Sequence, residues 1–298
     1  MSGRSEEGFT IIELMIATGA LLAVLSGSLF FFSRSQSIYT NERVTLNMVQ
    51  DLRTAFDRFT NEIRMAGAGL PGYRGVISGN ADTLIVRGDF NDTFTIITST
   101  GTIAGGTLPV GNTTGFAAGQ TISLLDTDGA SAGSSGFATI SSVNTANSTI
   151  TVDTSSFLPL TSGAQLSDYG PGCIINVIER RTYSVINAGD NLGNITRSTA
   201  FEDTQNAGAT IQATETIASN VIDQSGNAGL TFAFLKADDS PADVDPDTGQ
   251  VVPTQVAKVQ ITLNARTSQR DLVSGQYRTL NLTALIQVRG QYIPAVGF

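Results

Sequence analysis

Hydrophobic and polar positions divide this chain into three regimes. After a short polar opening, MSGRSEEG, residues Leu14 to Phe32 form 19 consecutive uncharged, mostly apolar positions. As a helix rising 1.5 Å per residue they reach about 28 Å, close to a bilayer crossing. The pattern then becomes a helical stripe. Val49, Leu52, Phe56, Phe59, Ile63 and Ala66 recur at spacings of three and four, while Asp51, Arg53, Asp57, Arg58, Glu62 and Arg64 fill the other faces. The run Ala66-Gly67-Ala68-Gly69-Leu70-Pro71-Gly72 stops the helix. One helix from about Phe9 to Ala66, roughly 87 Å long, is expected, with a membrane part over 9–33 and an amphipathic stalk over 34–66.

The third regime, 67–298, alternates. Residues 82–88 and 93–98 are β-branched runs separated by Asn91-Asp92, a hairpin-like signal. Ala257, Val259, Ile261, Leu263 and Ala265 alternate with polar residues, which gives a strand with one wet face. Leu280, Leu282, Ala284, Ile286 and Val288 repeat that pattern, and Val177 to Ile186 and Leu230 to Leu235 are further strand candidates. Between about 99 and 170 the composition shifts to Gly, Ser, Thr and Ala, yet alternation survives at Thr121–Leu125, Phe137–Val143 and Thr149–Asp153. This stretch reads as an inserted β subdomain, with a Ser/Thr/Gly linker as the alternative. The fold class expected is α+β: a long N-terminal helix, transmembrane and then amphipathic, packed on an antiparallel β-sheet head that carries the insertion.

Composition narrows the chemistry. The formal net charge is −9, so the basic footprint of a nucleic-acid binder is missing and no nucleic-acid partner is expected. Lys236 and Lys258 are the only lysines and neither precedes Ser or Thr, which excludes a P-loop. The chain has no His, which removes His-activated nucleophiles and the usual zinc sets. No catalytic constellation is evident and none is expected. Cys173 is the only cysteine, so an internal disulfide is impossible and the thiol reads as a small buried residue. Arg180-Arg181 reads as exposed strand charge rather than an anion site. The densest acidic stretch is 238–249. There Asp243, Asp245 and Asp247 imitate the first ligands of an EF-hand, but Thr248 stands at the turn glycine and Thr254 at the bidentate Glu. A solvated loop is expected, with no cofactor and calcium as the alternative.

The N-terminus is the most specific signal. An ordinary secretory signal would place small residues after its apolar core, and Ser26-Gly27-Ser28 lies in that neighbourhood. Against it stands Glu13, an ionisable residue inside the apolar run, where a charge is costly unless paired or near the interface. Gly8-Phe9-Thr10-Ile11-Ile12-Glu13-Leu14 resembles the prepilin processing motif of type IV pilin-like proteins. The resemblance implies that residues 1–8 are a leader, that a prepilin peptidase cuts between Gly8 and Phe9, and that the new amine of Phe9 is N-methylated. It implies that Glu13 directs assembly. Physically, the Glu13 carboxylate would pair with the Phe9 amine of a neighbouring subunit, offsetting the cost of burying either charge among apolar helices.

The head resembles that of PilW-type minor pilins through Glu62 to Gly67, Arg181 to Val185, and the late segments Val256 to Arg266 and Leu280 to Arg289. That resemblance implies a structural subunit of a type IV pilus. It would insert once into a bacterial inner membrane with a periplasmic head, meet an assembly platform there, and join other pilins and minor pilins through the N-terminal helix before reaching the cell surface. Two further readings stay open: a J-type minor pseudopilin of type II secretion, and an adhesin-like tip subunit whose uncharged insertion binds a ligand, polar glycans suiting it better than DNA.

Overall fold

The structure is a computed structural model that describes residues 10–70, 75–100, 103–126, 135–159, 165–202, 209–224, 227–271 and 274–288. A single helix, α1 (Ile11–Met65), opens it. It runs unbroken through Gly19 and Gly27. Two polar side chains of its apolar part are turned back onto the backbone: Thr18 donates to the Leu14 carbonyl at 2.9 Å and Ser26 to the Leu22 carbonyl at 2.7 Å. Such back-bonding lets a hydroxyl lie in a nonpolar medium with its donor satisfied.

The chain divides into two compact units, one formed by Met1–Val49 with Thr267–Arg278 and the other by Gln50–Arg266 with Thr279–Phe298. In the first unit every residue from Thr10 to Arg34 is exposed. By length and composition the helix is able to cross a membrane there. The 267–278 segment of this unit is held by Arg278, whose Nε and Nη2 lie 3.1 and 2.8 Å from one oxygen of Asp271.

In the second unit the described strands are β1 (Val76–Gly79), β2 (Leu84–Gly88), β3 (Phe94–Ile96), β4 (Thr107–Pro109), β5 (Thr121–Leu125), β6 (Ser135–Asn144), β7 (Thr149–Pro159) and β8 (Ile174–Val177). After them come β9 (Glu179–Gly189), β10 (Leu192–Glu202), β11 (Ala209–Gln224), β12 (Asn227–Ala228), β13 (Leu230–Leu235), β14 (Lys258–Arg266) and β15 (Thr279–Gln287). They form two sheets. The larger has the order β1-β2-β9-β10-β11-β14-β13, with β12 beside β11 and β15 beside β14; the smaller has the order β3-β8-β5-β6-β7-β4. Every pairing is antiparallel. The molecule is therefore α+β with its helix at the N-terminus.

The larger sheet curls until its ends approach, because Phe232 of β13 donates its N–H to the carbonyl of Ala81, in the β1–β2 turn, at 2.8 Å. Its concave face holds the last turns of α1. Leu52, Ala55, Phe59 and Ile63 are fully buried, and the Phe59 ring lies 4.7 Å from that of Tyr183 on β9 and 6.3 Å from that of Phe232. From β14, Val259, Ile261, Leu263 and Ala265 face the same core. Fully burying each large apolar side chain contributes about 1.5–3 kcal/mol, so this stripe anchors the helix far more strongly than helix propensity does.

β2 and β9 pair with one another, and all strands between them in sequence belong to the smaller sheet. That sheet closes on itself. Ile97 pairs with Val110, Thr98 N–H donates to the Pro109 carbonyl at 2.9 Å, and Gly111 N–H donates to the Ile96 carbonyl at 3.1 Å. The small barrel is filled by residues such as Leu108, Ile122, Leu124, Ile140, Ile150 and Ile175, with Cys173 among them. Its seat is the turn that ends α1. Gly69, at φ 71°, has its carbonyl bonded by Ser123 at 2.7 Å, and a Cβ there would sit 3.0 Å from Asn176. A left-handed backbone pressed against a neighbour leaves glycine as the fitting residue.

One sequence expectation is corrected. The runs flanking Asn91-Asp92 are not a hairpin, because β2 is already paired on both edges, by β1 and β9, and β3 joins β8 in the other sheet. Asp92 at φ 54° and the Asp89 carboxylate, which accepts the Thr93 N–H at 3.0 Å, shape the crossing.

Candidate functional site

The cleavage and methylation positions, Gly8 and Phe9, lie outside the described residues. Glu13 is described, and it has a structural duty the sequence reading did not assign. Thr10 and Glu13 form a capping box: Glu13 N–H donates to the Thr10 hydroxyl at 3.2 Å, while the Thr10 N–H and hydroxyl each donate to Glu13 Oε2 at 3.0 Å. The signal was present as Thr-x-x-Glu ahead of an apolar run. The capping bonds engage Oε2, and Oε1 makes none of them.

A cluster of interlocked charges lies where α1 meets the curled sheet. Glu62 is 5 % exposed and Arg181 6 %. Glu62 Oε1 lies 2.7 Å from Arg181 Nη1 and 3.4 Å from Arg58 Nε, and Arg197 Nη1 also pairs with it. Arg181 Nη2 reaches Glu179 at 2.9 Å, Arg58 Nη2 reaches Glu215 at 3.0 Å, and Arg197 pairs with Glu215 as well. Three arginines thus face three glutamates with no net charge. The Arg181 guanidinium also lies over the Phe90 ring, 4.2 Å from its centroid.

This cluster overturns two expectations. Glu62 is not on a solvated face of the helix, and of the pair Arg180-Arg181 only Arg180 is partly exposed. The reasons are geometric. Glu62 follows Phe59 by three and precedes Ala66 by four, which puts it on the buried stripe. Arg181 shares a face of β9 with the buried Glu179 and Tyr183, two residues to either side. Those spacings were the available signal. The guanidiniums are all engaged by carboxylates, so the cluster is an internal neutral lock rather than an anion site. Arg181 and Arg197 converge on one carboxylate oxygen, Glu62 Oε1, which ties the helix to β9 and β10.

The acidic loop joins β13 to β14. Asp243 receives Lys236 at 3.0 Å and Gln255 Nε2 at 2.7 Å, and these bonds, Gln255 first, hold its carboxyl below the ordinary 3.8. Asp245 accepts the N–H groups of Asp247 at 2.8 Å and Thr248 at 3.4 Å. Val244 pairs with Val251 across the loop, and Lys258 reaches Asp239 at 2.6 Å. Asp243 and Asp245 are thus spent on the loop itself. Among the described residues no group of three or more His, Cys, Asp or Glu is arranged to hold a metal.

Deeper in the chain, the burial of Asp89 pushes its carboxyl above the ordinary 3.8, reinforced by Asp92 and Glu179 nearby and opposed by the bond from Thr93. No family model matches the chain, and the curated proteins and solved structures yield no match to it either.

Proposed function

We propose that this chain is a minor pilin, an assembly subunit of a type IV pilus that is cut after Gly8 and joins its partners through α1. The observation that carries the reading is one continuous helix with two kinds of residue along it. From Thr10 to Arg34 every position is exposed and the composition suits lipid, whereas Leu52 to Ala66 are buried or half-buried on their stripe under a curled sheet. An apolar surface of that size left bare on a folded chain is stable only in a bilayer or against other helices. The motif from Gly8 to Leu14 supports the second environment, since a carboxylate at the start of such a helix needs a cationic partner once helices bundle.

On this reading the function is mechanical and positional, with no catalytic step. The lock around Glu62 transmits force between the stalk and the sheet, because sliding or turning the helix would strip one carboxylate oxygen of its arginine contacts. Mass spectrometry of the mature protein tests the reading: it should begin at Phe9 and carry one added methyl group. A start near Gly27, or an uncleaved Met1, would exclude it. Loss of piliation in a deletion strain separates a pilus role from one in type II secretion, in which piliation would be kept and secretion lost.

A further inference from the structure

From the way the small barrel closes, we infer a binding site for a neutral, hydroxyl-rich saccharide in the cleft beside its seam. The seam is zipped at Ile97 and Val110 and continues through the Gly111 N–H, which donates to the Ile96 carbonyl at 3.1 Å. Past it the Asn112 N–H donates to the Thr95 hydroxyl at 3.0 Å, and Gly115 lies close against Thr93. An open groove of about 610 Å³ runs along this stretch, lined by Phe94 and Ile96 from one segment and Gly111 and Gly115 from the other. Asp92, Asn112 and Thr114 rim it.

Phe94 is 55 % exposed, and among the described residues beyond α1 it is the only exposed aromatic. A flat apolar face lining a groove, beside polar groups, is the arrangement on which a sugar ring stacks by its C–H face while its hydroxyls meet the rim. The rim supplies the needed groups. Asn112 Oδ1 accepts the Thr114 N–H at 2.9 Å, which orients the amide and leaves Nδ2 as a donor. Asp92 is an exposed carboxylate held at φ 54°, able to accept from two adjacent hydroxyls. The two glycines leave the opposite wall low.

Charge selects the ligand class. From Asp89 to Ile178 the sequence has six Asp and no Lys, Arg or Glu. Nothing in this barrel compensates a phosphate, sulfate or carboxylate, so anionic glycans and nucleic acid are disfavoured. The site does not depend on how the chain is processed or anchored.

The test uses the full-length protein in lipid nanodiscs, since glycosidic detergents would compete. Calorimetric titration with cello-, malto-, xylo- and chito-hexaose is compared with heparin and with a lysine hexapeptide. Binding by at least one neutral hexaose is expected. Phe94→Ala should weaken it tenfold or more and Asn112→Ala severalfold, whereas Val244→Ala, in the acidic loop, should leave it unchanged. The thermal midpoint of Phe94→Ala should stay at the wild-type value, because the ring is half bare. No heat with any neutral hexaose, binding unaffected by Phe94→Ala, or a Phe94-dependent preference for heparin or the lysine peptide would each overturn the assignment.

Discussion

Replacing Glu62 by Ala tests the lock between helix and sheet. The substitution removes the shared acceptor of Arg58, Arg181 and Arg197. The Arg58 contribution is small, because that side chain is 39 % exposed and the contact is 3.4 Å, so it is worth at most about 0.5 kcal/mol. Arg181 is buried, and Arg197 is largely so, its side chain 12 % exposed. Breaking a buried pair costs about 3–5 kcal/mol, and here each arginine retains a second carboxylate, Glu179 or Glu215, which puts the loss at the low end, about 3 kcal/mol. Glu62→Gln keeps an acceptor oxygen and loses only the charge, for a cost of about 1.5 kcal/mol. Against a total stability of about 5–15 kcal/mol these are large changes. Urea denaturation of the full-length protein in nanodiscs, followed by far-ultraviolet circular dichroism, measures both. A double-mutant cycle between Glu62→Gln and Arg181→Met should show a coupling of at least about 1 kcal/mol. If Glu62→Ala fell within about 0.5 kcal/mol of wild type, the cluster would be incidental and the apolar stripe alone would hold the helix.

The capping box and the assembly role of Glu13 are separable, because glutamine serves as well as glutamate in the box. Glu13→Gln should therefore be cleaved and inserted but missing from sheared pili, while Thr10→Val, which loses about 1 kcal/mol of cap, should still be incorporated; recovery of Glu13→Gln at the wild-type level would assign Glu13 to the cap alone. Asp89 has its folded pKa raised above the unfolded value of 3.8, chiefly by burial, so its ionisation opposes folding. Asp89→Asn should accordingly be more stable than wild type at neutral pH, with the gap closing as pH falls through the folded pKa towards 3.8; a pH-independent gap would place the effect elsewhere. Gly79 lies under the ring of Phe234, where a Cβ would come within 2.3 Å of Cζ. Gly79→Ala should lower the denaturation midpoint markedly, and an unchanged midpoint would show that β1 is free to move away.

Periodicity alone made the helix and most strands legible. The 3-4 spacing from Val49 to Ala66 marks one buried face whatever that face meets, and β14 and β15 alternate because one side of each is wet. The apolar run and the Thr10-to-Glu13 signature are equally local, since a membrane span and a cap are read from a few consecutive residues. What covers a charged residue is not local. Glu62 and Arg181 look like solvated charges within their own elements, and only the curl of the larger sheet, which carries β9 and β10 over the last turns of α1, turns them into one buried cluster. Asn91-Asp92 has the composition of a hairpin turn, but strand edges are filled by partners far away in sequence, so β2 went to β9 and β3 to β8. The groove at Phe94 exists only because the first and last strands of the smaller sheet meet at Ile97 and Val110, which sets Phe94 and Ile96 beside Gly111 and Gly115. Each of these depends on closing a sheet between distant segments, a tertiary choice set by the packing of whole faces rather than by any single stretch of chain.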